Sequence, residues 1–336
     1  MYKDIFLEPV FPYRRLVLLL EQKTEVYRPL LEKRSLEGVY AGDGSLHMAG
    51  KNDMISGDVL RGITKKYENI QKGVWNYVIY ITGDCHGSFE RFSKRRRMKS
   101  AFLPEKGDYV IVCGDLGLLW AKDREFEYHL KWLSRLPFTL LWVQGNHENY
   151  NMIAEYPTEQ WHGGRVRHIV RDKIILLERG QIFHMEGKSF FTFGGASSHD
   201  IQGGILDRSS PDFKRDKRRA VQSGLPYRIR NESWWAQELP TDAELQEGMN
   251  NLSRAGFSVD YVITHCLSGS MQEKLGSLYG NDARSYEGDI LTDYFDRLEQ
   301  NLQYRIWFCG HYHINLRLDK KHVILYKEVV CPDDFR

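Results

Sequence analysis

Carboxylate, amide and imidazole side chains recur along this chain at spacings that could hold metal ions. The motifs run in order as Gly83-Asp84-Cys85-His86-Gly87, Gly114-Asp115-Leu116-Gly117, Gly145-Asn146-His147-Glu148, the single His265 after Val262-Ile263-Thr264, and Gly310-His311-Tyr312-His313. Most stand directly after an apolar, strand-like run. Mixed oxygen and nitrogen donors suit Mn²⁺, with Fe or Zn²⁺ as alternatives, and the lack of paired cysteines argues against a structural zinc site. One such motif would be noise. The ordered series points to a two-metal centre, and two-metal centres characteristically hydrolyse phosphate esters.

Spacing within the motifs adds detail. Asp84 and His86 are two residues apart, as are His311 and His313. In extended backbone such residues point the same way, and Asp84 and His86 can bind one ion together. A bridged metal pair needs a shared anionic ligand, and Asp115, standing alone between glycines, is suited to that. Asn146 offers a neutral amide oxygen and His265 a further imidazole.

The elements that must carry these motifs are legible from Asn76 onward. Runs rich in Val, Ile, Tyr and Phe predict strands over 77–82, 108–113, 138–143, 173–178, 181–185, 189–193, 259–264, 304–309, 314–318 and 322–326. Apolar residues spaced by three or four predict helices over 124–136 and 289–302. Thr241-Asp242-Ala243-Glu244 reads as a capping box opening a helix to Ser253. Helices alternating with strands predict a parallel sheet in the first half. Closely spaced strands predict antiparallel hairpins around 173–193 and 304–326. The sum is a mixed α/β sandwich with more than one sheet. Loops at the carboxyl ends of its strands could bring the motifs to one place.

The series GDCHG, GDLG, GNHE, H, GHYH resembles the signature of the calcineurin-like metallophosphoesterase superfamily over roughly residues 77–330. The resemblance implies a four-layer sandwich of two mixed β-sheets flanked by helices. It implies Asp84, His86 and His313 on the first metal, Asn146, His265 and His311 on the second, and Asp115 between them. His147 would face the phosphate and act as general acid on the leaving group, while a metal-bridging hydroxide attacks phosphorus in line. One departure matters. The superfamily's protein phosphatases continue the second motif with Asp-Arg-Gly, but here Asp115 is followed by Leu116-Gly117-Leu118-Leu119-Trp120. The phosphate-gripping arginine and the aspartate that orients the histidine are both missing there. The stretch 191–200, with Trp161-His162-Gly163-Gly164 and Ser233-Trp234-Trp235, resembles a bacterial branch of the superfamily that names no substrate. His199 and Asp200 in that stretch are candidate substrate contacts.

The remaining features bound the partners. The chain has 336 residues, 42% apolar and 27% charged, with a formal net charge of +2. That balance is ordinary for a globular protein and demands no polyanionic partner. Two basic runs, Arg95-Arg96-Arg97 and 214–219, could still follow a nucleic-acid backbone. A nuclease or cyclic-nucleotide phosphodiesterase using residues 214–219 is therefore the alternative enzyme, and charge runs are more often solvated faces. The rival from another class is a catalytically silent binding scaffold on the same fold. Trp234-Trp235 reads as an amphipathic helix start packed on the core. No apolar run approaches the ~20 residues that cross a bilayer. Five unpaired cysteines suit buried, reduced thiols, so a cytoplasmic location and no membrane partner are expected.

Residues 1–76 read differently, with weak periodicity, scattered glycines and no chemical constellation. Lys72-Gly73-Val74 can be encoded by a purine-rich ribosome-binding sequence and Val78 by a GTG start codon. The extension is thus either upstream sequence translated in frame or a small accessory segment over the sandwich. Residues 77–330 are expected to form the catalytic domain, and 331–336 a tail.

Overall fold

The computed structural model describes residues 77–97, 102, 104–279 and 288–335, and three short strands nearer the N-terminus. The chain divides into two compact units, residues 1–76 with 98–101, and residues 77–97 with 102–336. In the first, β1 (Gly38–Tyr40), β2 (Leu46–Met48) and β3 (Met54–Ile55) pair antiparallel in that order. The rest of the N-terminal reading lies outside the described residues.

The second unit carries every candidate ligand. Its first half runs through β4 (Ile79–Thr82), β5 (Tyr109–Val112), α1 (Arg124–Leu133), β6 (Thr139–Trp142), α2 (Tyr150–Ala154), β7 (Thr158–Trp161), β8 (Gly164–Val170) and β9 (Ile174–Leu177). The second half begins with β10 (Gln181–Met185) and β11 (Lys188–Phe193). A ribbon of β12 (Ile205–Leu206) and β13 (Arg228–Ile229) follows, enclosing α3 (Phe213–Ser223). After α4 (Asp242–Arg254) come β14 (Tyr261–Thr264), α5 (Gly269–Tyr279), α6 (Ile290–Asn301), β15 (Ile306–Cys309), β16 (Leu316–Arg317), β17 (His322–Ile324) and β18 (Val329–Val330).

These strands form two large mixed sheets. The seven-stranded sheet has the order β18-β4-β5-β6-β9-β8-β7 and the six-stranded sheet β10-β11-β14-β15-β17-β16. The period of two explains the layering. Ile81, Ile111, Leu141, Phe190, Ile263 and Phe308 point inward and share one core between the sheets. Their neighbours Val110, Leu140 and Trp142 point outward and meet Phe126, Leu133 and Met152 of the flanking helices. On the other side Phe191, Val262 and Trp307 meet Leu245, Leu252, Leu291 and Phe295. Buried on both faces, these strands read as continuous apolar runs. The expected four-layer sandwich is the observed one, and helix–sheet–sheet–helix is the metallo-dependent phosphatase architecture.

The helices start where the polar residues allow. Asp123 caps α1 by accepting the Phe126 N–H at 2.9 Å, and Thr241 and Glu244 form the capping box of α4. Helix α1 ends at Leu133, short of the expected 136, because Pro137 disfavours helical backbone just before it.

Three local readings change. No hairpin spans 173–185: β9 lies in one sheet and β10 in the other, with the turn at Arg179-Gly180 carrying the chain between them, and the hairpin in that region is β10 with β11; over 304–326 the hairpin is β16 with β17, while β15 pairs parallel with β17. Strand β16 shrinks to Leu316–Arg317, because the Asn315 side chain accepts the Tyr326 N–H at 2.7 Å and takes over that end of the ladder. Trp234 and Trp235 do not open an amphipathic α-helix. Trp235 is buried at the cap of a short 3-10 turn, and Trp234 lies under the Arg230 guanidinium. Strands β7 and β8 carry no strand signal in the sequence, because an edge hairpin of Glu, Gln, Arg and His lacks an apolar run.

A candidate two-metal centre at the strand ends

Strands β4, β5 and β6 run parallel, as do β14 and β15. The candidate ligands follow their carboxyl ends, where the loops of both sheets converge. All seven predicted ligands meet there.

The first cluster is Asp84, His86 and His313, whose ligand atoms lie within 4.8 Å of one another. The Asp84 Oδ2 stands 3.2 Å from His313 Nε2 and 3.5 Å from His86 Nε2, and the two imidazole nitrogens are 2.8 Å apart. Asp84 Oδ1 is satisfied by the His311 backbone N–H at 2.8 Å. Oδ2 is buried and has no hydrogen-bond partner. An orphaned carboxylate oxygen facing two imidazole nitrogens is costly as it stands and fits a cation.

The second cluster forms around His265, which is fully buried. Its Nδ1 faces the Cys113 carbonyl oxygen at 2.7 Å, so Nδ1 carries hydrogen and Nε2 turns inward. Nε2 lies 3.1 Å from Asn146 Oδ1 and 3.4 Å from Asp115 Oδ2. The His311 ring lies 5.0 Å from the His265 ring, centroid to centroid. Asp115 sits between the clusters, since the same Oδ2 is 3.7 Å from His86 Nε2.

Charge and strain agree with this layout. Burial alone would raise the Asp115 carboxyl, but His265 beside it wins and holds it below the usual range. Asp84 is likewise held down by the His313 and His86 rings against its own burial. Burial and the neighbouring His265 and His199 push His311 well below the ordinary imidazole value, leaving a neutral donor. His265, although buried, is raised to about 9 by the Asp115 and Asp84 carboxylates, and His313 is raised by its hydrogen bond to Asp84: the acidic cluster draws positive charge to itself, the charge that bound cations would supply in place of those protons. His86, Asp115, His311 and His313 adopt left-handed backbone at φ of 45°, 49°, 68° and 53°. Non-glycine residues rarely sit there, and such strain clusters at functional sites.

Two glycines leave the room this needs. A Cβ on Gly310 would stand 2.2 Å from Asp84 Oδ1, and one on Gly145 would stand 2.0 Å from Asp115 Oδ1. Each of these two glycines thus makes space for a ligand from a different motif. The donor set, the orphaned oxygen and these cradles fit a pair of divalent cations.

These observations decide the family, together with the sequence model of the calcineurin-like phosphoesterases, which matches residues 77–315. The chain belongs to that family. It is a metal-dependent phosphoester hydrolase of the calcineurin-like class, with Asp and His groups that could bind the metals. No curated protein sequence matches. Among solved structures, phosphopantetheinyl hydrolase from Mycobacterium tuberculosis superposes with a TM-score of 0.37 at 14% identity, covering 78% of this chain and 92% of that one. A likeness at that level carries no argument about substrate.

Around this calcineurin-like centre lie residues that the sequence did not single out. Ser198 accepts the Asn146 Nδ2–H at 3.3 Å and donates to Glu238 Oε2 at 2.6 Å. That chain turns the amide so that its oxygen faces His265. Burial pushes the Glu238 carboxyl up to about 8. Glu148, the last residue of the GNHE motif, is buried and accepts the Leu116 N–H at 3.0 Å. Burial raises its pKa well above normal, and its bond to Leu116 braces the loop that carries Asp115.

The two candidate substrate contacts separate. His199 Nε2 lies 3.1 Å from His311 Nε2, beside the second cluster. Asp200 turns away and binds Arg228. Arg228 in turn lies against His147, whose own backbone N–H donates to Asp115 Oδ1 at 2.7 Å. No local motif marks Arg228, which lies in a ribbon strand of only two residues.

The basic helix α3 is part of the same insert. Lys214, Arg215, Arg218 and Arg219 are exposed, and Arg215 is committed to Asp212 at 2.7 Å and Asp216 at 3.1 Å. In the other run, Arg96 binds Glu90 at 3.0 Å and Arg97 donates to the Phe92 carbonyl. All five cysteines are free thiols and four are buried. Among the described residues no helix is long and apolar enough to cross a membrane.

Proposed function

We propose that the protein is a dinuclear phosphoesterase acting on a phosphate monoester or diester. Asp84, His86 and His313 would hold one divalent cation, and Asn146, His265 and His311 the other, with Asp115 shared. When bound, such cations supply a nucleophilic water of lowered pKa and offset charge on the phosphoryl oxygens. Mn²⁺ matches the mixed donors best.

The observation that carries this reading is Asp115. Its Oδ2 lies between His86 and His265, one residue from each cluster, and its Oδ1 holds the loop that presents His147. The protein's own residues then divide the work. The buried carboxylates hold the cations in register. His265 is fixed in one tautomer by Cys113, and Asn146 in one amide orientation by Ser198. His147 makes no contact with the orphaned Asp84 oxygen. Its ring lies 5.2 Å from that of His86 and is only partly exposed; burial and the Arg228 guanidinium hold its pKa below the ordinary imidazole value, and a bound phosphate beside it would favour the protonated form that gives a proton to the departing alkoxide.

The test is a panel of mono- and diesters with Mn²⁺ added, run beside metal analysis of the purified protein. Metal near two equivalents with hydrolysis of at least one ester supports the reading. Metal-replete protein that turns over nothing would instead favour a binding scaffold. The nuclease alternative calls for salt-sensitive affinity for DNA or RNA that is lost when residues 214–219 are neutralised.

A further inference from the structure

Arg228 is buried, at 5% exposure, although arginine is almost never buried without a partner. Asp200 explains the burial. Its Oδ1 accepts from Arg228 Nε at 2.6 Å and its Oδ2 from Nη2 at 2.7 Å, a two-pronged grip. The Ser233 carbonyl accepts from Nη1 at 2.6 Å. None of this explains the direction of the guanidinium. Its Nη2 lies 2.9 Å from His147 Nδ1 and 3.1 Å from His147 Nε2. A guanidinium is thus held by a rigid clamp with one Nη2 N–H turned toward His147, at the edge of the metal-ligand cluster. The ribbon that carries Arg228 is anchored in place by the parallel register Ile205↔Arg228.

We propose that Arg228, clamped by Asp200, grips a phosphoryl oxygen of the substrate beside His147, and that this grip makes the enzyme a monoesterase. The proposal rests on the phosphoesterase reading and deepens it. A monoester presents three non-bridging oxygens, and a two-cation centre leaves one of them in need of a donor. The Nη2 N–H that Asp200 leaves turned toward His147 can meet that oxygen as a charge-assisted donor. In a diester the corresponding oxygen carries carbon, accepts less well and needs space that the Arg228–Asp200 pair occupies. The insert would thus restore, from a different part of the chain, the arginine that the second motif lacks.

The test compares wild type, Arg228→Ala and Arg228→Lys, all loaded with Mn²⁺. Inorganic phosphate binding is measured by calorimetry, and steady-state kinetics with p-nitrophenyl phosphate and bis(p-nitrophenyl) phosphate. Arg228→Ala should weaken phosphate binding at least about tenfold and lower monoester kcat/KM by about a hundredfold, the loss typical of one oxyanion donor. Its diester kcat/KM should fall at least about tenfold less than the monoester value, with metal content unchanged. Arg228→Lys keeps the charge but not the fork, and should fall between the two. Unchanged phosphate affinity in Arg228→Ala, or equal loss on both esters, overturns the proposal while leaving the phosphoesterase reading intact. Conversely, a wild type that hydrolyses neither ester but binds phosphate through Arg228 sinks the hydrolase reading and leaves the grip standing. If Arg228→Ala does not fold, Arg228→Lys decides, and wild-type behaviour of that variant in both measurements counts against the grip.

Discussion

Asp115 holds His147 by its backbone: the His147 N–H donates to Asp115 Oδ1 at 2.7 Å, while Oδ2 of the same carboxylate lies 3.4 Å from His265 Nε2. One side chain therefore sets both the candidate metal cradle and the loop that carries His147, the proposed acid. Asp115→Asn removes the negative charge and puts an NH₂ group where two acceptor oxygens are needed. Bound metal measured by plasma spectrometry should drop below one equivalent, and activity should fall more than about a hundredfold. Chelation of the wild type should lower its melting temperature, because cations that bind only the folded state stabilise it. Full metal content in Asp115→Asn would remove the bridge from the scheme.

His147 is adjacent to a ligand but turned elsewhere, toward Arg228. His147→Ala should keep its metal and lose about 10²–10⁴ in kcat on alkyl phosphates, whose leaving groups need a proton. The loss should be much smaller with p-nitrophenyl phosphate, whose leaving group departs as an anion. An alkyl phosphate hydrolysed at the wild-type rate by this variant would end the acid role.

Ser198 tests the support behind a ligand. Its hydroxyl links the Asn146 amide to Glu238. Ser198→Ala frees the amide to rotate and strands the Glu238 carboxyl. Metal affinity should weaken by about 10–100-fold, read as a shift in the Mn²⁺ activation curve and in calorimetric titration. Affinity equal to wild type would mean that the amide is oriented by His265 alone.

Far from the site, His322 joins β17 to α6. Burial disfavours its charged ring, but Glu299 at 2.7 Å and Asp319 at 2.9 Å outweigh that, and its pKa lies above the ordinary value. A raised folded-state pKa stabilises the fold fully below the unfolded value of about 6.5 and less as pH rises through the folded value. The melting-temperature gap between wild type and His322→Gln should therefore be wider near about pH 5.5 than near about pH 8.5. An equal gap at both pH values would show that the ring is not charged in the fold.

Much of this protein was legible in its sequence because local patterns carry local physics. Apolar runs become strands buried on both faces, as in β4, β5, β6, β14 and β15, and Thr241 with Glu244 forms the cap that its spacing predicts. The candidate ligands are equally local: Asp84, His86, Asp115, Asn146, His265, His311 and His313 each follow a strand in a short motif with glycine or an apolar run beside it. Their order along the chain sufficed to suggest one centre, since parallel strands deliver their carboxyl ends to one edge.

What the sequence could not contain is the part made by contact between distant segments. Asn146 and Ser198 are 52 residues apart, and His147 and Arg228 are 81 apart. No periodicity links such pairs, and a lone arginine in a polar insert looks like any solvated charge. Only the packing of the ribbon against the strand ends turns Arg228 inward, buries it on Asp200 and sets it against His147. The candidate metal ligands were determined by residue type and position in the chain; the contacts that orient them, and the placing of Arg228 against His147, were decided by the tertiary fold.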